Sequence, residues 1–263
     1  MRELLKKPFL EIIHFLGKIK VRKRFSQPPV LLGGSARSGT TILLSILSSH
    51  EEIFACPHEL RLFEKMFRDE KGKLISGRMY RLYRTVLFHR IKKTANRWCE
   101  KSPVNVLRIP EIDEYFQGNF RFIHIIRDGR DAVLSIHPSN KKRYWNNPDR
   151  WVRDVSAGLK YREDPRILTI HYEDLVNKFE EIISGICKFL DIPVSESILN
   201  WYEHTTVRKN RAYHSGVKQL HRSSVGKWQK KKYAERLGQF MDNPEAVDLL
   251  KELGYLEKVN SMD

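Results

Sequence analysis

Val30-Leu31-Leu32-Gly33-Gly34-Ser35-Ala36-Arg37-Ser38-Gly39-Thr40-Thr41 is the most informative stretch of the chain. Val30 to Gly33 is a short apolar run ending in glycine, which predicts a buried strand. Thr40 to Ser49 predicts a helix, with Ile42, Leu43, Ile46 and Leu47 on one face. Backbone N–H groups at such a turn, with the helix N-terminus behind them, form a cradle for an anion. Gly34 and Gly39 supply positive φ and close approach. The spacing is that of the phosphate loop GxxxxGK[ST], but Thr40 stands at the lysine position. Without that lysine, hydrolysis of ATP or GTP is disfavoured. Arg37, inside the loop, supplies a cation that can hold two oxygens of an anion at once.

A second anion-binding element lies further along. Phe120 to Ile126 predicts a strand, and Asp128 to Ile136 the helix after it. Arg127 then stands at the carboxyl end of the strand, where ligands of such sheets bind. Ser135, eight residues on, can share a face with the start of the helix. Asp128, Arg130 and Asp131 offer a local alternative of salt bridges and an N-cap.

Elsewhere, Ile53 to Ala55, Arg97 to Glu100 and Arg166 to His171 predict further strands. Helical patterns cover Glu59 to Arg90 with a break near Gly72, Trp145 to Tyr161, Glu173 to Leu190 and Pro244 to Leu250. Trp201 to Lys232 is basic, aromatic and irregular. Strands alternating with helices predict an α/β fold, a P-loop-type parallel sheet flanked by helices on both faces. Pro28-Pro29 separates a basic amphipathic helix, residues 1–27, from a single domain over 28–263. In that helix Leu4, Leu5, Phe9, Ile12, Ile13, Phe15 and Leu16 recur at near-helical spacing; it either packs on the domain or lies on an anionic membrane.

The 263 residues are 41% hydrophobic, enough for a core. Lys and Arg outnumber Asp and Glu by 48 to 32, for a net charge of +16, which implies an anionic partner. Cys56, Cys99 and Cys187 are few, odd in number and far apart, against a disulfide framework or a zinc site. No run reaches the roughly 18 apolar residues of a membrane span, and no cleavage signal follows the first helix. The expected location is therefore cytoplasmic or membrane-peripheral.

The two anion-binding segments, about ninety residues apart and in this order, resemble those of the PAPS-dependent sulfotransferase family. The resemblance is to its bacterial and tyrosylprotein branch and implies the sulfotransferase fold. It also implies 3′-phosphoadenosine 5′-phosphosulfate (PAPS) as donor, PAP as product and no metal. The loop holding Arg37, Ser38, Gly39, Thr40 and Thr41 then binds the 5′-phosphosulfate, and Arg127 with Ser135 binds the 3′-phosphate. Trp98-Cys-Glu-Lys-Ser-Pro103 resembles the segment whose lysine contacts the sulfuryl group, here Lys101. Ile170-His-Tyr-Glu-Asp-Leu175 places Tyr172 near the adenine. Ser224-Val-Gly-Lys-Trp228 resembles the late loop over the nucleotide, giving Ser224, Gly226 and Lys227. Cys56-Pro-His-Glu-Leu-Arg61 resembles the start of the acceptor segment, with Glu59 as catalytic base and Arg61 on the acceptor. His58 is the alternative base, because cytosolic members of the family use histidine.

Two other classes compete. A P-loop kinase would need a lysine at Thr40 and a magnesium carboxylate, for which Asp128 is the candidate. A nucleic-acid binder would use the basic runs Lys141-Lys-Arg143, Arg208-Lys-Asn-Arg211 and Lys230-Lys-Lys232, with Trp145, Tyr213 and Trp228 for stacking. No nucleic-acid motif accompanies those runs, so the expected partners are the nucleotide and a polar or anionic acceptor such as a glycan or a peptide tyrosine.

Overall fold

The computed structural model describes residues 6–137, 140–207, 220 and 222–256. Leu4, Leu5, the Arg208–Arg211 run and Tyr213 lie outside the described residues. In chain order the elements are α1 (Lys6–Arg24), β1 (Val30–Gly33), α2 (Thr40–Ser49), β2 (Ile53–Ala55), β3 (Met66–Arg68), β4 (Leu74–Ser76) and α3 (Met79–Phe88). Then follow β5 (Arg97–Lys101), α4 (Ile109–Phe116), β6 (Arg121–Ile126), α5 (Gly129–Ala132), β7 (Ile136–His137), β8 (Asn140–Tyr144) and α6 (Pro148–Leu159). The chain continues through β9 (Ile167–His171), α7 (Tyr172–Asn177), α8 (Phe179–Leu190), α9 (Glu196–Leu199), α10 (Trp201–His204), α11 (Ala234–Met241) and α12 (Pro244–Glu252).

Five strands form one sheet in the order β2-β5-β1-β6-β9, and every neighbouring pair is parallel. Alternate residues of β1 go to opposite faces: Val30 and Leu32 pack with α2 and α8, Leu31 with Phe122, Phe63 and residues of α3 and α4. A parallel strand with both faces covered reads as a continuous apolar run, which is why Val30-Leu31-Leu32 carries no alternation. From β1 the chain moves to one side of the sheet through β2 and β5, and from β6 to the other. The crevice between the carboxyl ends of β1 and β6 is thus the switch point at which open α/β sheets bind ligands.

Three of the expected helices differ from what forms. Glu59 to Arg90 is not one interrupted helix: β3 and β4 make an antiparallel hairpin before α3 begins. Turn chemistry overrides periodicity there, since Asp69 Oδ1 accepts the N–H groups of Lys71 and Lys73 and Gly72 takes φ +76°. The helix expected over Asp128 to Ile136 stops after one turn; Trp145 N–H donates to the Ser135 carbonyl at 2.8 Å, and β7 pairs with β8. The helix expected from Trp145 starts at Pro148 instead, where Asn147 Oδ1 accepts the Arg150 N–H at 2.8 Å as an N-cap. No helix among the described residues is long and apolar enough to cross a membrane.

Candidate active site

Five of the expected site segments follow or close strands of the parallel sheet, and the late loop from Ser224 to Lys227 joins them from outside it. The loop Gly34 to Gly39 follows β1, Glu59 and Arg61 follow β2, Lys101 closes β5, Arg127 follows β6 and Tyr172 follows β9. They surround one cleft of about 530 Å³. Arg37, Gly39, Thr40, Thr41, Glu59, Arg61, Lys101, Arg127, Ser135, Tyr172, Ser224 and Lys227 all line it. Ser38 lies buried beneath the loop and Gly226 behind the wall.

The loop is tightly fitted. Gly34 has φ +151° and Gly39 φ +97°, and a Cβ on Gly39 would fall 2.5 Å from the Tyr172 ring. Arg37 is also left-handed, at φ +71°, a conformation that costs a non-glycine residue energy and marks functional turns. Asn146, which the sequence reading passed over, donates from Nδ2 to Ser35 Oγ and to the Ala36 carbonyl, both at 3.0 Å. The buried Ser38 Oγ has no partner among the described residues. A hydroxyl left without a partner beneath an anion cradle fits a ligand oxyanion.

Arg127 is the hub of the cleft. It donates from Nη1 to the Arg37 carbonyl at 3.2 Å and from Nη2 to the Ser224 carbonyl. Its guanidinium lies 4.6 Å from the centre of the Tyr172 ring, and its buried Nε has no partner among the described residues. Tyr172 Oη and Ser224 Oγ are 2.7 Å apart. Arg37 reaches solvent at the cleft mouth, yet enclosure by the walls and then the Arg127 charge pull it below the ordinary arginine range. The same two causes, in that order, lower Lys227. Ser135 arrives on the loop after α5 and not from a helix face two turns on.

Asp131 holds the late loop. Its fully buried carboxylate accepts the N–H of Gly226 at 2.7 Å and of Trp228 at 3.0 Å, and approaches Arg127 Nη2 at 3.8 Å. Burial raises its pKa against those contacts. Arg130 covers the Trp228 ring at 3.8 Å, so that tryptophan is already engaged. Asp128 caps α5 and chelates Arg130 through both oxygens, and it does not line the cleft. The expected kinase carboxylate is therefore consumed in an internal ion pair.

Elsewhere in the cleft, Glu59 Oε1 meets Lys101 Nζ at 2.5 Å. His58 is exposed and does not line the cleft. Glu100, beside Lys101, is fully buried with no cation partner among the described residues. It accepts from the N–H groups of Leu60 (2.9 Å) and Arg61 (3.2 Å), Ser102 Oγ (2.6 Å) and Asn105 Nδ2 (2.8 Å). Burial pushes its pKa up, while these donors oppose the shift. Arg61 has φ +53° and pairs with Glu64 at 2.9 Å. Trp145 and Arg150 also line the cleft; the sequence signal for Trp145 was present, though it pointed to base stacking.

A cleft of cations around a lysine-free phosphate loop is one signature; a second comes from comparison with known proteins. Residues 28–196 match the profile of the Sulfotransferase family. The chain belongs to that family. Its relatives include the protein-tyrosine sulfotransferase of Drosophila melanogaster, 23% identical over 90% of this chain and 53% of the fly protein. Protein-tyrosine sulfotransferase 2 of Gallus gallus is 25% identical over 77% of this chain and 62% of the chicken protein. The chain thus spans only about half to two thirds of the length of these relatives. Among solved structures, the sulfotransferase domain of the Synechococcus PCC 7002 olefin synthase superposes with a TM-score of 0.56 at 18% identity, covering 88% of this chain and 96% of that one. Mouse sulfotransferase SULT7A1 complexed with PAP superposes with a TM-score of 0.52 at 15% identity, covering 90% and 93%. The fold is the sulfotransferase fold.

Proposed function

We propose that this chain is an enzyme that transfers a sulfuryl group from PAPS to a hydroxyl or amine of a polar, anionic acceptor. One observation carries the reading: a carboxylate and a buried lysine, Glu59 and Lys101, meet in the same cleft as a phosphate loop and Arg127. The donor, bound there, supplies an activated sulfuryl group. The loop N–H groups, Ser38 Oγ, Thr40, Thr41 and Arg37 hold its 5′ side. Arg127 and Ser135 hold the 3′-phosphate, Tyr172 lies by the adenine, and Ser224, Gly226 and Lys227 close the far wall.

Glu59 takes the acceptor proton as the acceptor–sulfur bond forms and the bond from sulfur to the phosphate oxygen breaks. Lys101 and Arg37 stabilise the charge that develops on the sulfuryl oxygens and the leaving phosphate. Arg61 and Arg150 line the cleft, each beside a carboxylate, Glu64 and Asp154, and on the acceptor side they favour an anionic acceptor such as an acidic glycan or peptide over an apolar one. Fluorescent or labelled acceptors of each class, offered with PAPS, rank these choices.

The test of the donor site is calorimetric titration with PAP and with ATP at one ionic strength, on the wild type and on Arg127→Ala. PAP should bind much more tightly than ATP, and the substitution should weaken PAP about ten- to a hundredfold. No PAP binding, or preference for ATP, overturns the reading.

A further inference from the structure

We propose that α1 seats the protein on an anionic bilayer, with Ile12, Phe15, Leu16 and Ile19 entering the lipid and the neighbouring lysines and arginines meeting the headgroups. The helix has two apolar faces and the domain covers only one. Ile13 and Gly17 are buried against α3, and a Cβ on Gly17 would fall 2.3 Å from Tyr83 Cβ. The His14 ring meets Tyr83 edge-on at 4.8 Å, and Lys20 Nζ donates to the Leu87 carbonyl at 3.4 Å. These contacts fix the rotation of the helix about its axis, so the opposite face is committed to the outside.

That outer face is not polar. Ile12 is 56% exposed, Phe15 65%, Leu16 49% and Ile19 36%. They stand at i, i+3, i+4 and i+7, which on an α-helix confines them to an arc of about 100°. A surface helix of a soluble domain ordinarily turns charged residues outward at those positions. An open apolar stripe on a helix already anchored by its other side requires a partner that is apolar in depth.

Charge identifies the surface of that partner. From Ile12 to Arg24 the helix carries Lys18, Lys20, Arg22, Lys23 and Arg24 and no acidic residue. By helical angle, Lys18 and Arg22 border one edge of the stripe and Lys23 continues it, while Lys20, tied to the Leu87 carbonyl, stands on the side of the domain. A second copy seated on this face would bring two identical basic edges together, and like charges at an isologous contact repel. A bilayer with anionic headgroups reverses the sign, and interfacial helices of this composition bury their apolar face to about 5–10 Å while basic residues stay among the headgroups. The +16 net charge of the chain acts in the same direction.

The proposal does not involve the nucleotide cleft, so its test stands apart from the assigned activity. Full-length protein is sedimented with vesicles of phosphatidylcholine alone and of phosphatidylcholine with phosphatidylglycerol, at low and high ionic strength. The variants are Phe15→Ser with Leu16→Ser, and Lys18→Glu with Arg22→Glu, each checked by thermal melting. The wild type should bind the anionic vesicles, release them as salt rises, and bind neutral vesicles weakly. Each double variant should lose about tenfold or more of that affinity at an unchanged melting temperature. Equal binding to both vesicle types, absence of binding, or full binding by the serine variant overturns the proposal. So does a dimer in light scattering that the serine variant converts to monomer without any vesicle binding, which would seat a second copy on the stripe.

Discussion

Lys101 Nζ lies 2.5 Å from Glu59 Oε1, joining the end of β5 to the loop after β2. The lysine side chain is 3% exposed and the carboxylate 41%. The pair therefore sets a buried cation beside a more accessible carboxylate in the cleft they share with the phosphate loop. A buried ammonium needs such a partner, because an unpaired charge in the interior is costly.

Removing either member should abolish most turnover. Glu59→Gln is expected to lower kcat about 10²–10⁴-fold with PAP affinity unchanged. Lys101→Ala should lower it about 10²–10³-fold. If the two act as one unit, the double variant loses no more than the worse single one. Steady-state kinetics beside PAP titration decide the matter, and wild-type turnover in either single variant would refute the assignment.

Glu100 ties the loop that carries Glu59 to the strand that carries Lys101. Its Oε1 binds the backbone of Leu60 and Arg61 while the next residue in its strand is Lys101. In Glu100→Gln the amide can still accept from the loop, so kcat should fall less than tenfold. Glu100→Ala removes the acceptor of the buried Leu60 N–H, a cost of about 1–3 kcal/mol, while the Arg61 N–H keeps Ser102 Oγ; it should lower kcat more than PAP affinity. A purely structural role would instead reduce the melting temperature and leave kcat per folded molecule intact.

Asp131 should control access over the nucleotide. Asp131→Ala removes the acceptor for Gly226 and Trp228, so limited proteolysis within residues 222–232 is expected to accelerate. PAP should bind about tenfold more weakly, and Asp131→Asn should fall between. Unchanged cleavage rates would show that the loop is held by other contacts.

His124 should make the fold acid-sensitive. It is fully buried in β6, neither ring nitrogen has a partner among the described residues, and the ring packs against Gly158. Burial first, then His171, hold its pKa down to about 3. Between pH 6.5 and about 3 the unfolded chain takes up a proton that the folded chain refuses. Its contribution to stability is thus fully present above pH 6.5 and falls by about 1.4 kcal/mol per unit as the pH drops through that window. His124→Leu should remove that slope from denaturant midpoints measured across the window; an unaltered slope would exclude His124 as its source.

Much of this was legible in the residues themselves. The run Val30 to Thr41 determined a buried strand, a turn and a helix because apolar continuity, glycine placement and helical spacing are local properties. The strands ending at Glu100, Ile126 and His171 were readable for the same reason, and strand ends are where ligands of parallel sheets bind. The hairpin of β3 and β4 and the short α5 were not, since turn chemistry and cross-chain hydrogen bonds decided them.

Only the tertiary structure could decide which polar groups share a contact. Nothing local marks Asn146 as the support of Ser35, Asp131 as the anchor of Gly226, or Glu100 as the tie to Leu60, because each bond spans tens of residues. The sequence offered Glu59 as the base with His58 as the alternative; chain direction after β2 put Glu59 in the cleft and left His58 outside. Likewise, amphipathic spacing announced α1, but only its packing on α3 showed which apolar face was used and which stayed open. Periodicity records that a face is apolar, and packing alone determines what covers it.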